Sequence, residues 1–136
     1  MRKVLYAKYM SRCMGCMSCA LACARRLRSS LSIAKSAIRV RTKGGFSSGQ
    51  MTALHCLGCE DPPCIKHCPT SAITKREKGG IKLNPSLCNG CKECLQGCPV
   101  SAIFFDEEKK LPIFCIHCGN CVDFCPHKCL SLEELP

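Results

Sequence analysis

The sequence predicts an α+β fold in which small antiparallel hairpins and short helices wrap around metal, with most of the chain in loops. Three observations carry this expectation. Seventeen of the 136 residues are Cys, those cysteines recur in four similar groups, and short alternating segments with turn residues separate the groups. Cysteine also makes up a large part of the 46% of residues that count as hydrophobic, which leaves a thin apolar core for a chain long enough for one compact domain. Bound metal would supply the missing cohesion.

The elements follow in chain order. The first group is Cys13-x2-Cys16-x2-Cys19-x3-Cys23. It is followed by a 32-residue insertion in which residues 37–41 and 51–54 can pair across Gly44 and Gly45. The second group is stretched, Cys56-x2-Cys59-x4-Cys64-x3-Cys68-Pro69, and leads into a hairpin of residues 71–76 and 81–83 closed by a Gly-rich turn at 77–80. The third, Cys88-x2-Cys91-x2-Cys94-x3-Cys98-Pro99, leads into residues 102–105 and 111–114 around a charged turn at 106–110. The fourth is Cys115-x2-Cys118-x2-Cys121-x3-Cys125-Pro126. In each group the last Cys-x3-Cys step spans about one helical turn, so a short helix is expected to start there.

Four thiolates at these spacings point to iron and sulfur. A cubane cluster presents four irons at tetrahedral corners, each needing one thiolate. A C-x2-C-x2-C turn curls around such a cluster and aims three sulfurs inward. Gly15, Gly58 and Gly90 precede the second Cys in three groups, where close backbone approach favours a missing Cβ. In two-cluster ferredoxins of the C-x2-C-x2-C-x3-C-P type the fourth Cys ligates the other cluster, so the groups are expected to work in pairs. Sixteen motif cysteines then supply four 4Fe-4S clusters. The rival readings fit less well. Zinc sites take two separated C-x2-C pairs and give no reason for a third Cys followed by x3-Cys-Pro, and disulfides would leave an odd cysteine and strained pairs.

Charge and composition narrow the function. The formal charge of +10 invites a nucleic-acid reading. Four clusters with their thiolates would add about −8 and leave the loaded protein near +2, and two Tyr with no Trp offer little stacking surface. No nucleic-acid partner is expected. Residues 1–59 hold eleven Lys or Arg and no acidic residue, a positive block that either offsets the clusters or docks on an acidic partner. The N-terminal residues show no secretory pattern, and no apolar run reaches the roughly 20 residues of a membrane span. The expectation is a cytoplasmic protein without a span. There is no phosphate-binding loop and no nucleophile with a base, so the chain is not expected to be a catalyst alone.

A few residues stand apart. Cys129 lies outside the four groups and reads as a small buried residue. His55, His67, His117 and His127 read as packing or solvated residues, although His117 fills the slot held by Gly in the other groups and is a candidate for tuning a cluster.

The stretch from His55 to Ile73, HCLGCEDPPCIKHCPTSAI, resembles the second cysteine group of four-cluster ferredoxin-like subunits. These are the electron-transfer subunits of molybdenum and tungsten oxidoreductases of the dimethyl sulfoxide reductase type, and of related formate dehydrogenase, hydrogenase and aldehyde oxidoreductase complexes. All four groups match. The departures are a short length, no Pro after Cys23 and no C-terminal membrane anchor. Compactness and the basic segment 36–49 look most like the small subunits that accompany tungsten aldehyde oxidoreductases, with a hydrogenase or carbon monoxide dehydrogenase partner open, as is a free-standing polyferredoxin. The resemblance implies a large catalytic partner with a tungsten or molybdenum pterin, together with further electron-transfer subunits. It also implies nested two-cluster pseudo-domains, an inner one at about 54–105 and an outer one from about 1–53 with 106–136. The implied ligand sets are Cys13, Cys16, Cys19 with Cys125; Cys115, Cys118, Cys121 with Cys23; Cys56, Cys59, Cys64 with Cys98; and Cys88, Cys91, Cys94 with Cys68.

Overall fold

The computed structural model describes residues 2–42 and 50–135. The turn expected at Gly44 and Gly45 lies outside the described residues. Among those described, eight short strands form four separate antiparallel pairs, and four helices lie between them. The result is a small mixed helix and strand chain.

Three of the pairs are the expected hairpins. Strands β2 (Arg39–Thr42) and β3 (Met51–Leu54) pair in the insertion, with Val40 opposite Ala53. β4 (Ile73–Lys75) pairs with β5 (Ile81–Leu83), and β6 (Phe104–Asp106) with β7 (Leu111–Ile113). β4 and β6 begin two residues later than the expected segments at 71 and 102. The cause is local. Ser71 and Ser101 adopt φ of 55° and 54°, and the next amides, at Ala72 and Ala102, donate to cysteine sulfur rather than to a strand partner. At its other end β6 runs one residue further than expected, because Asp106 pairs with Leu111 instead of belonging to the turn.

The fourth pair joins the two ends of the chain and was not foreseen. β1 (Arg2–Tyr6) runs antiparallel to β8 (Ser131–Leu135), with Val4 opposite Glu133 and Leu5 opposite Leu132. Val4 and Leu5 are both buried.

The helices start where the spacing expects them, beside the third Cys of each group. They are α1 (Ser18–Arg28), α2 (Pro63–Lys66), α3 (Glu93–Gly97) and α4 (Asn120–Phe124). α2, α3 and α4 stop just before Cys-Pro, because proline disfavours helical backbone in the residue before it. No proline follows Cys23, and α1 continues to Arg28.

Two apolar clusters form the core. One gathers Ile73, Ile81, Ile103 and Phe114 with Cys64 and Cys94; the other gathers Leu5, Ile38 and Leu130 with Cys121 and Cys129. α1 packs on α4, and α2 on α3. Several links cross between these regions, among them a bond from Arg76 to the Ile116 carbonyl. The Lys3 amide donates to the Lys78 carbonyl at 3.0 Å, and Asp106 binds Arg28 and Lys35. Gly79 and Gly80, at φ of 113° and 80°, let the β4–β5 turn press between these parts. A Cβ at Gly79 would run into the Lys3 carbonyl, and one at Gly80 into the Cys115 carbonyl.

Candidate metal centres

The backbone of each cysteine loop is built to face sulfur. Gly15, Gly58 and Gly90 have φ of 75°, 64° and 72°, and His117 occupies the same left-handed slot at 52°. In three groups the residue following the second Cys is left-handed too: Met17, Lys92 and Gly119. Such turns point successive amides to one side, which favours an anionic guest. Three of the amides before the second Cys donate to the sulfur of the first: Gly15 to Cys13 and Gly58 to Cys56 at 3.4 Å, and His117 to Cys115 at 3.3 Å.

The fourth cysteine of each group receives its own amide. Ala72 donates to Cys68, Ala102 to Cys98 and Cys129 to Cys125, at 3.3, 3.2 and 3.4 Å, each four residues on. Cys23 lies within the longer α1 and takes its bond from Ala37 at 3.1 Å instead. Cys129 thus fills the position of Ala72 and Ala102, and all three are buried. The sequence reading missed these donors, although the repeated run Cys-Pro-x-Ser-Ala-Ile at residues 68–73 and 98–103 carries their signal.

All sixteen motif cysteines fall into four gatherings. Cys56, Cys59, Cys64 and Cys98 line one cavity. Cys13, Cys16, Cys19 and Cys125 line another, together with Cys129. Cys115, Cys118, Cys121 and Cys23 line a third. The fourth gathering is seen through its electrostatics: burial pushes the Cys94 thiol up to about 11, and Cys68, Cys88 and Cys91 push it in the same direction. The other groups behave alike. Burial, and then Cys56 and Cys98, raise Cys64 to about 11; burial, and then Cys23 and Cys118, raise Cys121 to about 12. In each gathering the fourth member comes from a different group than the other three.

The donor chemistry suits a polynuclear iron-sulfur core. Four thiols spread around one cavity match a guest with four corners, each taking one thiolate. All seventeen cysteines are free. Buried thiols with raised pKa values must lose protons to a cationic core, so loading releases protons and contributes folding free energy.

The histidines divide. His67 and His127 are exposed, bonded to the Pro63 carbonyl and the Met14 sulfur. His55 is buried against the Cys56 carbonyl. His117 is 3% exposed, and its Nδ1 accepts the Leu5 amide at 2.9 Å. Burial, reinforced by His55, Arg76 and Arg2, holds it down at about 4, hence neutral.

The basic block is partly consumed inside the fold. Arg28 and Lys35 bind Asp106. Arg39 stacks 4.1 Å over the Phe104 ring and donates to the Ser36 and Ala34 carbonyls. Arg25 and Arg26 remain exposed beside Leu21, Leu31 and Phe124 in an open groove between α1 and α4. Lys43 lies outside the described residues. Among the described residues no helix is long and apolar enough to cross a membrane.

Residues 48–135 match a 4Fe-4S dicluster domain family, and residues 12–72 match a second 4Fe-4S dicluster family. The chain is 28% identical to a subunit of the polysulfide reductase of Wolinella succinogenes, over 90% of this chain and 72% of that protein. It is 33% identical to the putative electron transport protein YsaA of Escherichia coli, over 92% and 88%, and 30% identical to a subunit of the anaerobic dimethyl sulfoxide reductase of the same organism, over 92% and 70%. With a match over residues 48–135, well over half of its length, the chain belongs to the 4Fe-4S dicluster domain family.

Proposed function

We propose that this chain is the electron-transfer subunit of a larger oxidoreductase, not catalytic by itself, and that each of its four cysteine gatherings ligates one cluster. The observation that carries the reading is the serial contact of the sites. Cys115 lines both the cavity of the Cys56 set and that of its own set. Cys19 lies near enough to Cys121 to raise its thiol. Cys64 and Cys94 share one apolar cluster. The order is then the Cys88 set, the Cys56 set, the Cys115 set and the Cys13 set. Loaded with clusters, such a row supplies one-electron carriers from one side of the protein to the other. The inner two-cluster unit at about 54–105 and the outer unit from both chain ends follow from the same sets.

The partner we propose is a large catalytic chain with a molybdenum or tungsten pterin, alongside further electron-transfer subunits. The named relatives include subunits of polysulfide and dimethyl sulfoxide reductases, which favours a reductase. The aldehyde oxidoreductase reading rests on compactness and the basic segment 36–49, whose second half lies outside the described residues. Exposed Arg25 and Arg26 with Leu21, Leu31 and Phe124 suit an acidic, partly apolar docking face on that partner. Anaerobic purification from the native source tests the proposal. The chain is expected to travel with a larger protein containing molybdenum or tungsten, with about 16 iron per copy of this chain. Isolation as a lone, fully loaded protein would show a free-standing polyferredoxin instead.

A further inference from the structure

Each fourth cysteine takes a backbone amide, and in three groups the donor is an alanine: Ala37 for Cys23, Ala72 for Cys68 and Ala102 for Cys98. All three alanines are buried, so a methyl group fills the space beside those sulfurs. Cys125 is the exception, because its donor is Cys129. Cys129 is 2% exposed, as closed off as the alanines, yet it carries a thiol where they carry only carbon. A thiol offers one weak hydrogen-bond donor that a methyl group lacks.

The extra thiol stands at a site that its own motif cysteines already furnish. Cys129 lines the cavity of Cys13, Cys16, Cys19 and Cys125, and it belongs to the apolar cluster against which Cys13, Cys19 and Cys125 pack. Its amide lies 3.4 Å from the Cys125 sulfur, which pins the residue against that ligand. Hydrogen bonding also joins its side chain to Cys125 foremost, and then to Cys13. A four-iron cluster takes four thiolates, so Cys129 is surplus to ligation. Cysteines bound to iron have no proton to give, and the hydrogen in this contact therefore belongs to Cys129.

We infer that Cys129 tunes the cluster at one end of the row: its S–H donates a hydrogen bond to the Cys125 sulfur at the cluster seated among Cys13, Cys16, Cys19 and Cys125. This rests on the proposed ligand sets. A donor to thiolate sulfur favours the reduced, more negative state and raises the reduction potential. Cys129 acts through Cys125 and is not itself an iron ligand. It makes the terminal cluster a better acceptor and draws electrons toward the Cys13 end of the row.

Two substitutions separate donation from packing. Cys129→Ala installs the residue that the other three groups use at this position, and it keeps the backbone donor to Cys125. Cys129→Ser keeps a side-chain donor as well. Redox titration of the anaerobic, fully loaded protein, followed by electron paramagnetic resonance, is expected to show one midpoint lowered by about 59 mV in Cys129→Ala, a tenfold change in a one-electron equilibrium. Cys129→Ser is expected to stay within about threefold of wild type in that equilibrium. The affected signal should be the one altered in Cys16→Ser. In Cys129→Ala that cluster should also lose one proton coupling that the wild type exchanges in heavy water, while iron stays at about 16 per chain. An unshifted set of midpoints, an equal shift in both variants, a shift confined to the signal altered in Cys118→Ser, or loss of about four iron in Cys129→Ala overturns the assignment. Iron well below about 16 per chain in the wild type would instead refute the ligand sets beneath it.

Discussion

Replacing Asp106 with Asn tests how the two halves of the molecule are held together. Asp106 is 1% exposed at the end of β6. Its carboxylate accepts from Arg28 Nε at 3.2 Å, from Lys35, and from the Glu108 and Lys109 amides at 3.1 and 3.2 Å. Burial pushes the carboxyl up, but the bonds from Lys35, Lys109 and Arg28 outweigh it and hold the group at about 2, below its ordinary 3.8. Two charge-assisted bonds contribute roughly 1.5–3 kcal/mol each. Partial exposure of both cations and the acceptor that Asn retains reduce the net loss to about 2 kcal/mol. The pKa route agrees, since a depression of this size stabilises the fold by about 2 kcal/mol at neutral pH. The folded pKa lies below the unfolded one, so the contribution is present above about pH 4 and is lost as pH falls through about 2. The assay is the rate at which cluster absorbance disappears in urea under anaerobic conditions, a kinetic measure suited to irreversible unfolding. At about pH 7 the Asn variant should lose its clusters about thirtyfold faster, and the gap should shrink to about half its free energy near pH 3. A gap below about threefold at neutral pH, or one indifferent to acid, would refute the account.

Other perturbations address the sites and the docking face. Cys125→Ser should damage the cluster of Cys13, Cys16 and Cys19 more than that of Cys115, Cys118 and Cys121; a spectrum that loses only the latter rejects the exchange of fourth ligands. Gly80→Ala places a Cβ on the Cys115 carbonyl at a φ of 80°, and should cost more than about 2 kcal/mol in thermal denaturation. Unchanged melting would mean that the turn can move away from the loop. Reversing Arg25 and Arg26 to Glu should slow association with the catalytic partner and flatten its salt dependence while iron content stays at the wild-type level. Wild-type association across the salt range would exclude that face.

Local features were readable from residue order. The three hairpins showed themselves because alternation and turn residues lie within a few positions of each other, and the cysteine spacing marked where helices begin. Long-range pairings left no such trace. Arg2–Tyr6 and Ser131–Leu135 find each other across almost the whole chain, and neither alternates strongly enough to announce a strand. Asp106 looked like one more charge in a polar turn, because its partners Arg28 and Lys35 lie more than seventy positions away. The missing proline after Cys23 was visible as a departure. That it lets α1 run on, leaving Ala37 to supply the sulfur's amide, depends on the folded path of the insertion.

The ladder between β1 and β8 also sets a timetable for biogenesis. A ribosome releases the N-terminal strand long before its partner exists, so β1 and the thiols of the first group must wait in an open state until residues 131–135 emerge. Closing so long a loop is slow. Residues 56–98 face no such delay, because their pairings close within a shorter stretch. The middle of the chain can therefore take up iron and fold while translation continues, and the ends are sealed around it last. The interval before that sealing is when the exposed cysteines of the first group are most open to oxidation.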